Sequence, residues 1–152
     1  ADLFIVLDAS SSMEGYKWTL AVATTLAIRN WVNGINRVRT ILFSDAPVEM
    51  RLPLDEREAW RVLMQVQCLG VTNLAAAASY ALGQASSTSW AVFVTDGRAN
   101  VGRSDLNMPA KAARLDVVLV GDIDPTSIRA DGSVVQVREP GDIKNIFEVL
   151  AQ

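Results

Sequence analysis

Apolar residues in this 152-residue chain fall into short blocks that alternate between two periods. Leu3-Phe4-Ile5-Val6-Leu7 and Trp90-Ala91-Val92-Phe93-Val94 are unbroken apolar runs of strand length, the pattern of strands covered on both faces. Residues 38–44, 116–121 and the shorter 134–137 read the same way. Between them lie helical patterns. Over residues 16–32, Trp18, Leu20, Val22, Leu26, Ile28 and Trp31 point to a helix packed on much of its circumference. Asp55 with Glu58 makes a capping-box pattern opening a helix whose Trp60, Leu63 and Met64 share a face. A third helix starts in the Ala-rich stretch 75–78. The last carries Ile143, Ile146, Phe147 and Leu150 at i, i+3, i+4 and i+7. Ser44-Asp45-Ala46-Pro47 is a turn signature, so residues 48–52 return antiparallel as an edge strand, where Glu49 and Arg51 discourage strand addition. The alternation predicts an α/β fold: a doubly wound, mostly parallel six-stranded sheet with one antiparallel edge strand and helices on both faces.

Composition fits a domain with a sizeable core. Half the residues are hydrophobic and a fifth charged, which argues against wholesale disorder. The net charge of −3 gives no basic footprint for nucleic acid. No uncharged apolar stretch reaches the length of a membrane span, and no signal peptide is visible. Cys68 is the single cysteine, so no internal disulfide can form, and it reads as a small buried hydrophobe. With no Asn-x-Ser/Thr sequon either, these features lean towards a cytoplasmic setting. Ala1-Asp2 leads straight into the first strand, so residues 1–152 read as one domain cut from a longer protein.

The candidate chemistry lies where strands end. Asp8-Ala9-Ser10-Ser11-Ser12 follows the first apolar run and places a carboxylate and two hydroxyls in one tight loop. Taken alone, a Ser-rich turn after a strand is most often just a helix N-cap. Gly70-Val71-Thr72-Asn73 sets a Thr in the turn ahead of a helix, and Thr95-Asp96-Gly97 repeats the strand-then-Asp grammar. Ligands of open α/β sheets bind beyond the carboxyl ends of the strands, where the winding reverses. If the strands ending at Leu7 and Val94 are neighbours, Asp8, Ser10, Ser12, Thr72 and Asp96 meet there. Hard cations such as Mg2+ take oxygen donors of this kind.

These three segments, in this order, resemble the metal-ion-dependent adhesion site of von Willebrand factor A domains, also called integrin I-like domains, and the likeness covers essentially the whole chain. The resemblance implies one Mg2+ (or Mn2+), with Ser10, Ser12 and Thr72 as direct ligands and Asp8 and Asp96 acting mainly through water. It also implies an open position that takes an acidic residue's carboxylate from a partner protein. Ser11 departs from the family's usual Gly, at a position that donates no ligand. Thr95-Asp96-Gly97-Arg98-Ala99-Asn100-Val101 and Asp8-Ala9-Ser10-x-Ser12-Met13 are similar to D-type subunits of magnesium and cobalt chelatases. That branch implies an AAA+ ATPase as partner and a docking or regulatory role.

Several loop residues admit two readings. Arg98, Asn100 and Arg103 are either solvated surface or a grip on an incoming acidic partner, since a guanidinium pairs bidentately with a carboxylate. Asp45 reads as a turn-former rather than a ligand, and Asp122 and Asp124 as solvated turn residues. Catalysis fits poorly. The chain has no His, which excludes Ser-His-Asp and Cys-His arrangements, and it lacks both Gly-x-x-x-x-Gly-Lys-Ser/Thr and Gly-x-Gly-x-x-Gly. No catalytic residue is assigned. Binding is the expected role, set against extracellular adhesion by the same site and a Mg2+-dependent phosphotransferase or hydrolase.

Overall fold

A computed structural model describes residues 2–32, 37–86, 88–97, 114–128, 130 and 132–151. Six strands form one sheet: β1 (Asp2–Asp8), β2 (Arg37–Phe43), β3 (Pro47–Met50), β4 (Trp90–Thr95), β5 (Arg114–Val120) and β6 (Val134–Val137). Their order is β3-β2-β1-β4-β5-β6, and every pair is parallel except β2 with β3. The expected sheet is therefore present, with its antiparallel edge strand where the Ser44–Pro47 turn places it.

Among the described residues the α-helices are α1 (Tyr16–Trp31), α2 (Glu56–Met64), α3 (Leu74–Gln84) and α4 (Ile143–Leu150). The two-residue period of β1 divides its side chains between two cores. Leu3, Ile5 and Leu7 join Trp18, Leu20 and Val22 of α1, Leu63 of α2, and Ile146 and Leu150 of α4. Phe4 and Val6 face the other way, onto Leu74, Ala77, Ala78 and Ala81 of α3. A strand buried on both sides cannot alternate polar and apolar residues, which is why the sequence shows a solid run.

Helix α1 buries eight of its residues, including Thr24 and Thr25. Trp18 Nε1 donates to the Leu63 carbonyl at 3.0 Å and ties α1 to α2. In α2, Asp55 accepts from the Glu58 amide at 3.0 Å, as a cap should. The expected shared apolar face is narrower than the sequence suggested. Ala59 and Leu63 are buried, whereas Trp60 and Met64 remain 38% and 39% exposed. The buried line runs through Ala59 and Leu63, and these two lie to one side of it.

The winding reverses between β1 and β4. From β1 the chain moves to β2 and β3 on one side, then returns to add β4, β5 and β6 on the other. Leu7 of β1 is paired with Val94 of β4, so both strands deliver their next residues to the same crevice.

Candidate functional site

Asp8 is the last residue of β1 and is completely buried. The chain turns at once, and the Ser10 amide donates back to Asp8 Oδ1 at 2.9 Å. That turn brings Ser10 Oγ to 3.2 Å from Ser12 Oγ, which lies in a short 3₁₀ turn, Ser11–Met13. From the second loop, Thr72 Oγ1 donates to Ser10 Oγ at 2.8 Å. The residue after Thr72 is held twice. Asn73 caps α3 by accepting from the Ala76 amide at 3.0 Å, and the Asn73 amide donates to the Ser44 carbonyl at 2.9 Å.

The loops are also laced through their backbones. Ser11 N donates to Gly70 O at 3.0 Å and Leu69 N to Ala9 O at 3.1 Å. Gly70 makes this possible with φ +83°, and a Cβ there would sit 2.8 Å from Asp45 Oδ1. Asp45 itself accepts from the Val71 amide at 2.8 Å. It is thus a brace for the loop that carries Thr72, in keeping with the turn-forming reading.

The third loop closes the arrangement. Thr95, the last residue of β4, donates from Oγ1 to Asp8 Oδ2 at 2.6 Å and accepts from the Gly97 amide at 3.1 Å. Asp96, also fully buried, follows directly. Lys17 of α1 donates from Nζ to Asp96 Oδ2 at 3.3 Å. Burial pushes the Asp8 carboxyl above the usual aspartate range. Hydrogen bonds from Thr95 and Ser10 oppose that rise, and the nearby Asp96 charge adds to it.

All five candidate residues thus lie at one sheet edge, and hydrogen bonds link Asp8, Ser10, Ser12 and Thr72. Thr95 and Lys17 were not singled out from the sequence. A hydroxyl at the end of an apolar run was a signal for Thr95; nothing in the sequence pairs position 17 with position 96. Arg98, Asn100 and Arg103 lie outside the described residues. Asp122 and Asp124 play turn roles: Asp122 is exposed and faces Arg138 at 3.4 Å, and Asp124 accepts from the Thr126 amide at 3.0 Å. The Cys68 thiol is buried and pushed up to about 11, chiefly by that burial, so it is an inert core group at neutral pH.

Three hydroxyls and two carboxylates are a donor set for a hard cation, and they offer neither the nitrogen nor the sulfur that softer metals select. Among the described residues, no three acidic, thiol or imidazole side chains are placed to hold a metal ion together, so the hydroxyls are what distinguishes this cluster. Among the same residues, no helix is long and apolar enough to cross a membrane.

No family model matches the sequence, and no curated protein matches it. Solved structures do. The chain is similar to von Willebrand factor type A from Catenulispora acidiphila at 19% identity and a TM-score of 0.73, over 98% of this chain and 41% of that one. The ArnB paralog VWA2 from Sulfolobus acidocaldarius gives 17% and 0.66, over 95% of this chain and 43% of that one. BatB from Bacteroides thetaiotaomicron gives 14% and 0.68, over 99% and 97%. This chain therefore spans less than half the length of the first two. Sheet order, switch point and these superpositions give the chain the fold of von Willebrand factor type A proteins.

Proposed function

We propose that this chain is a metal-ion-dependent protein-interaction module. Asp8, Ser10, Ser12, Thr72 and Asp96 would hold one Mg2+ (or Mn2+), leaving a position for the Asp or Glu side chain of a partner protein. The observation that carries this reading is the hydrogen-bonded run Thr72–Ser10–Ser12 beside two fully buried carboxylates at the switch point of the sheet. Two carboxylates kept from water are costly unless a cation or donors compensate them. A bound divalent ion supplies that charge and a strong, directional acceptor for a further carboxylate. The protein's part is to hold its hydroxyls in place. Ser10 and Thr72 are fixed by each other and by the laced loops, so little order remains to be imposed on binding.

Mg2+ is favoured over Ca2+ because the three direct donors are neutral hydroxyls, whereas Ca2+ sites recruit more carboxylates and carbonyls. The finer reading follows the chelatase-like loops: a docking or regulatory domain that works beside an AAA+ ATPase. A non-catalytic role agrees with a chain that has no His to serve as general base.

Isothermal titration with Mg2+, Mn2+ and Ca2+, on the wild-type chain and on Asp8→Ala, tests the proposal. One saturable site for Mg2+, lost in the variant, is expected. Partner capture should then fail in EDTA. Capture that persists in EDTA would sink the metal-bridged mechanism, and capture of an AAA+ ATPase would support the finer reading.

A further inference from the structure

Lys17 is a cationic side chain at this edge that the five-residue donor set does not use. It sits in the first turn of α1, and its stem crosses the end of β5 at Gly121, where a Cβ would lie 3.1 Å from Lys17 Cε. Its ammonium ends 3.3 Å from Asp96 Oδ2; the Lys17 side chain is 25% exposed, while that of Asp96 has no exposure at all. The chain therefore carries a cation of its own at the carboxylate pair Asp8 and Asp96. Gly121, with φ +99°, leaves the passage open.

We infer that Lys17 is a sixth residue of the site, a tethered ammonium that sets how strongly the site holds its ion. The inference rests on the metal-site reading above. While the ammonium stays on Asp96 it neutralises part of the charge an incoming cation would meet, and for it to swing aside the Lys17–Asp96 pair must first be broken. If it stays, two positive charges also stand a few ångströms apart. A charge at such range shifts the occupancy of a neighbouring charged site by about one to three decades, and partial solvent exposure of Lys17 puts the effect at the low end. Two carboxylates, one ammonium and one divalent ion leave a single net positive charge. That suits the site to a partner's carboxylate better than a neutral site would be.

Lys17→Met removes the charge and keeps a stem that can pack over Gly121; Lys17→Arg keeps the charge. Isothermal titration with Mg2+ should show Lys17→Met binding about 10-fold tighter than wild type and Lys17→Arg close to wild type. In EDTA, Lys17→Met should melt below wild type, because Asp96 loses a counter-charge, and it should gain more in Tm on adding Mg2+. Equal or weaker Mg2+ binding by Lys17→Met, with wild type still binding, overturns the role of Lys17 and leaves the metal site standing. Absence of Mg2+ binding in all three overturns the metal site and this inference with it.

Discussion

Thr95→Val tests the architecture of the site most directly, because Val has nearly the shape of Thr and removes only the hydroxyl. That hydroxyl has two jobs: it donates to Asp8 Oδ2 at 2.6 Å and accepts from the Gly97 amide at 3.1 Å, both buried. A hydrogen bond to a charged group contributes about 1.5–3 kcal/mol, and an orphaned buried amide costs about 1–3 kcal/mol. The extra apolar surface of Val offsets part of this, which leaves a net loss of about 2.5 kcal/mol. Against a total stability of about 5–15 kcal/mol this is a large fraction. For a chain of this length it lowers Tm by about 5–10 °C. Urea unfolding in EDTA, followed by tryptophan fluorescence, measures it. Thr95→Ser keeps the oxygen and should recover most of the loss. On the proposed metal site, Thr95→Val should bind Mg2+ about 10-fold more weakly, because Asp8 loses a supporting hydrogen bond. The reasoning fails if Thr95→Val unfolds within about 0.5 kcal/mol of wild type. It also fails if Thr95→Ser is as unstable as Thr95→Val, since packing of the methyl would then be what matters.

Other perturbations probe the surroundings. Asp45→Ala removes the acceptor of the Val71 amide and should cost about 1 kcal/mol in urea unfolding. It should also weaken Mg2+ binding several-fold through Thr72, a test of whether that loop is braced from outside. Glu49 on the edge strand is held below the usual glutamate value of 4.5 chiefly by its hydrogen bond from Arg39, which pairs with it at 2.5 Å. Its carboxylate therefore stabilises the fold above that ordinary value, and the contribution is lost as pH falls through the lower folded-state value. Glu49→Gln should cost about 1 kcal/mol at pH 7, solvent screening included, and progressively less as pH is lowered below 4.5, by urea titrations across that range. Asp116, buried on β5, accepts from Trp90 Nε1 at 2.7 Å, Arg114 Nε at 2.6 Å and the Ser133 amide at 2.7 Å. Asp116→Ala should destabilise by about 3 kcal/mol yet leave Mg2+ affinity unchanged, because Trp90 and Arg114 begin their strands while the site lies at the strand ends.

Much of this protein was written along its sequence. Solid apolar runs gave the strands, because a strand covered on both faces has no polar side to show. The turn at 44–47 gave the antiparallel edge. Carboxylates and hydroxyls directly after apolar runs marked the end of the sheet that carries the candidate site, since in a parallel sheet the strand ends gather on one side. Only the tertiary structure set the neighbours. That β1 lies beside β4, so that Asp8 and Asp96 share a crevice, depends on strand order, which no local pattern encodes. The bonds Thr95–Asp8, Asp45–Val71 and Lys17–Asp96 join residues 87, 26 and 79 positions apart. The burial of Asp116 within its cluster belongs to the same class. A strand Asp in sequence shows only its charge; whether partners reach it is decided when Trp90, Arg114 and Ser133 are brought round it by packing. Sequence determines which groups are available at the end of each strand, because that follows from local periodicity and turn chemistry. Tertiary structure decides which of them touch, because contact depends on the order in which the strands assemble.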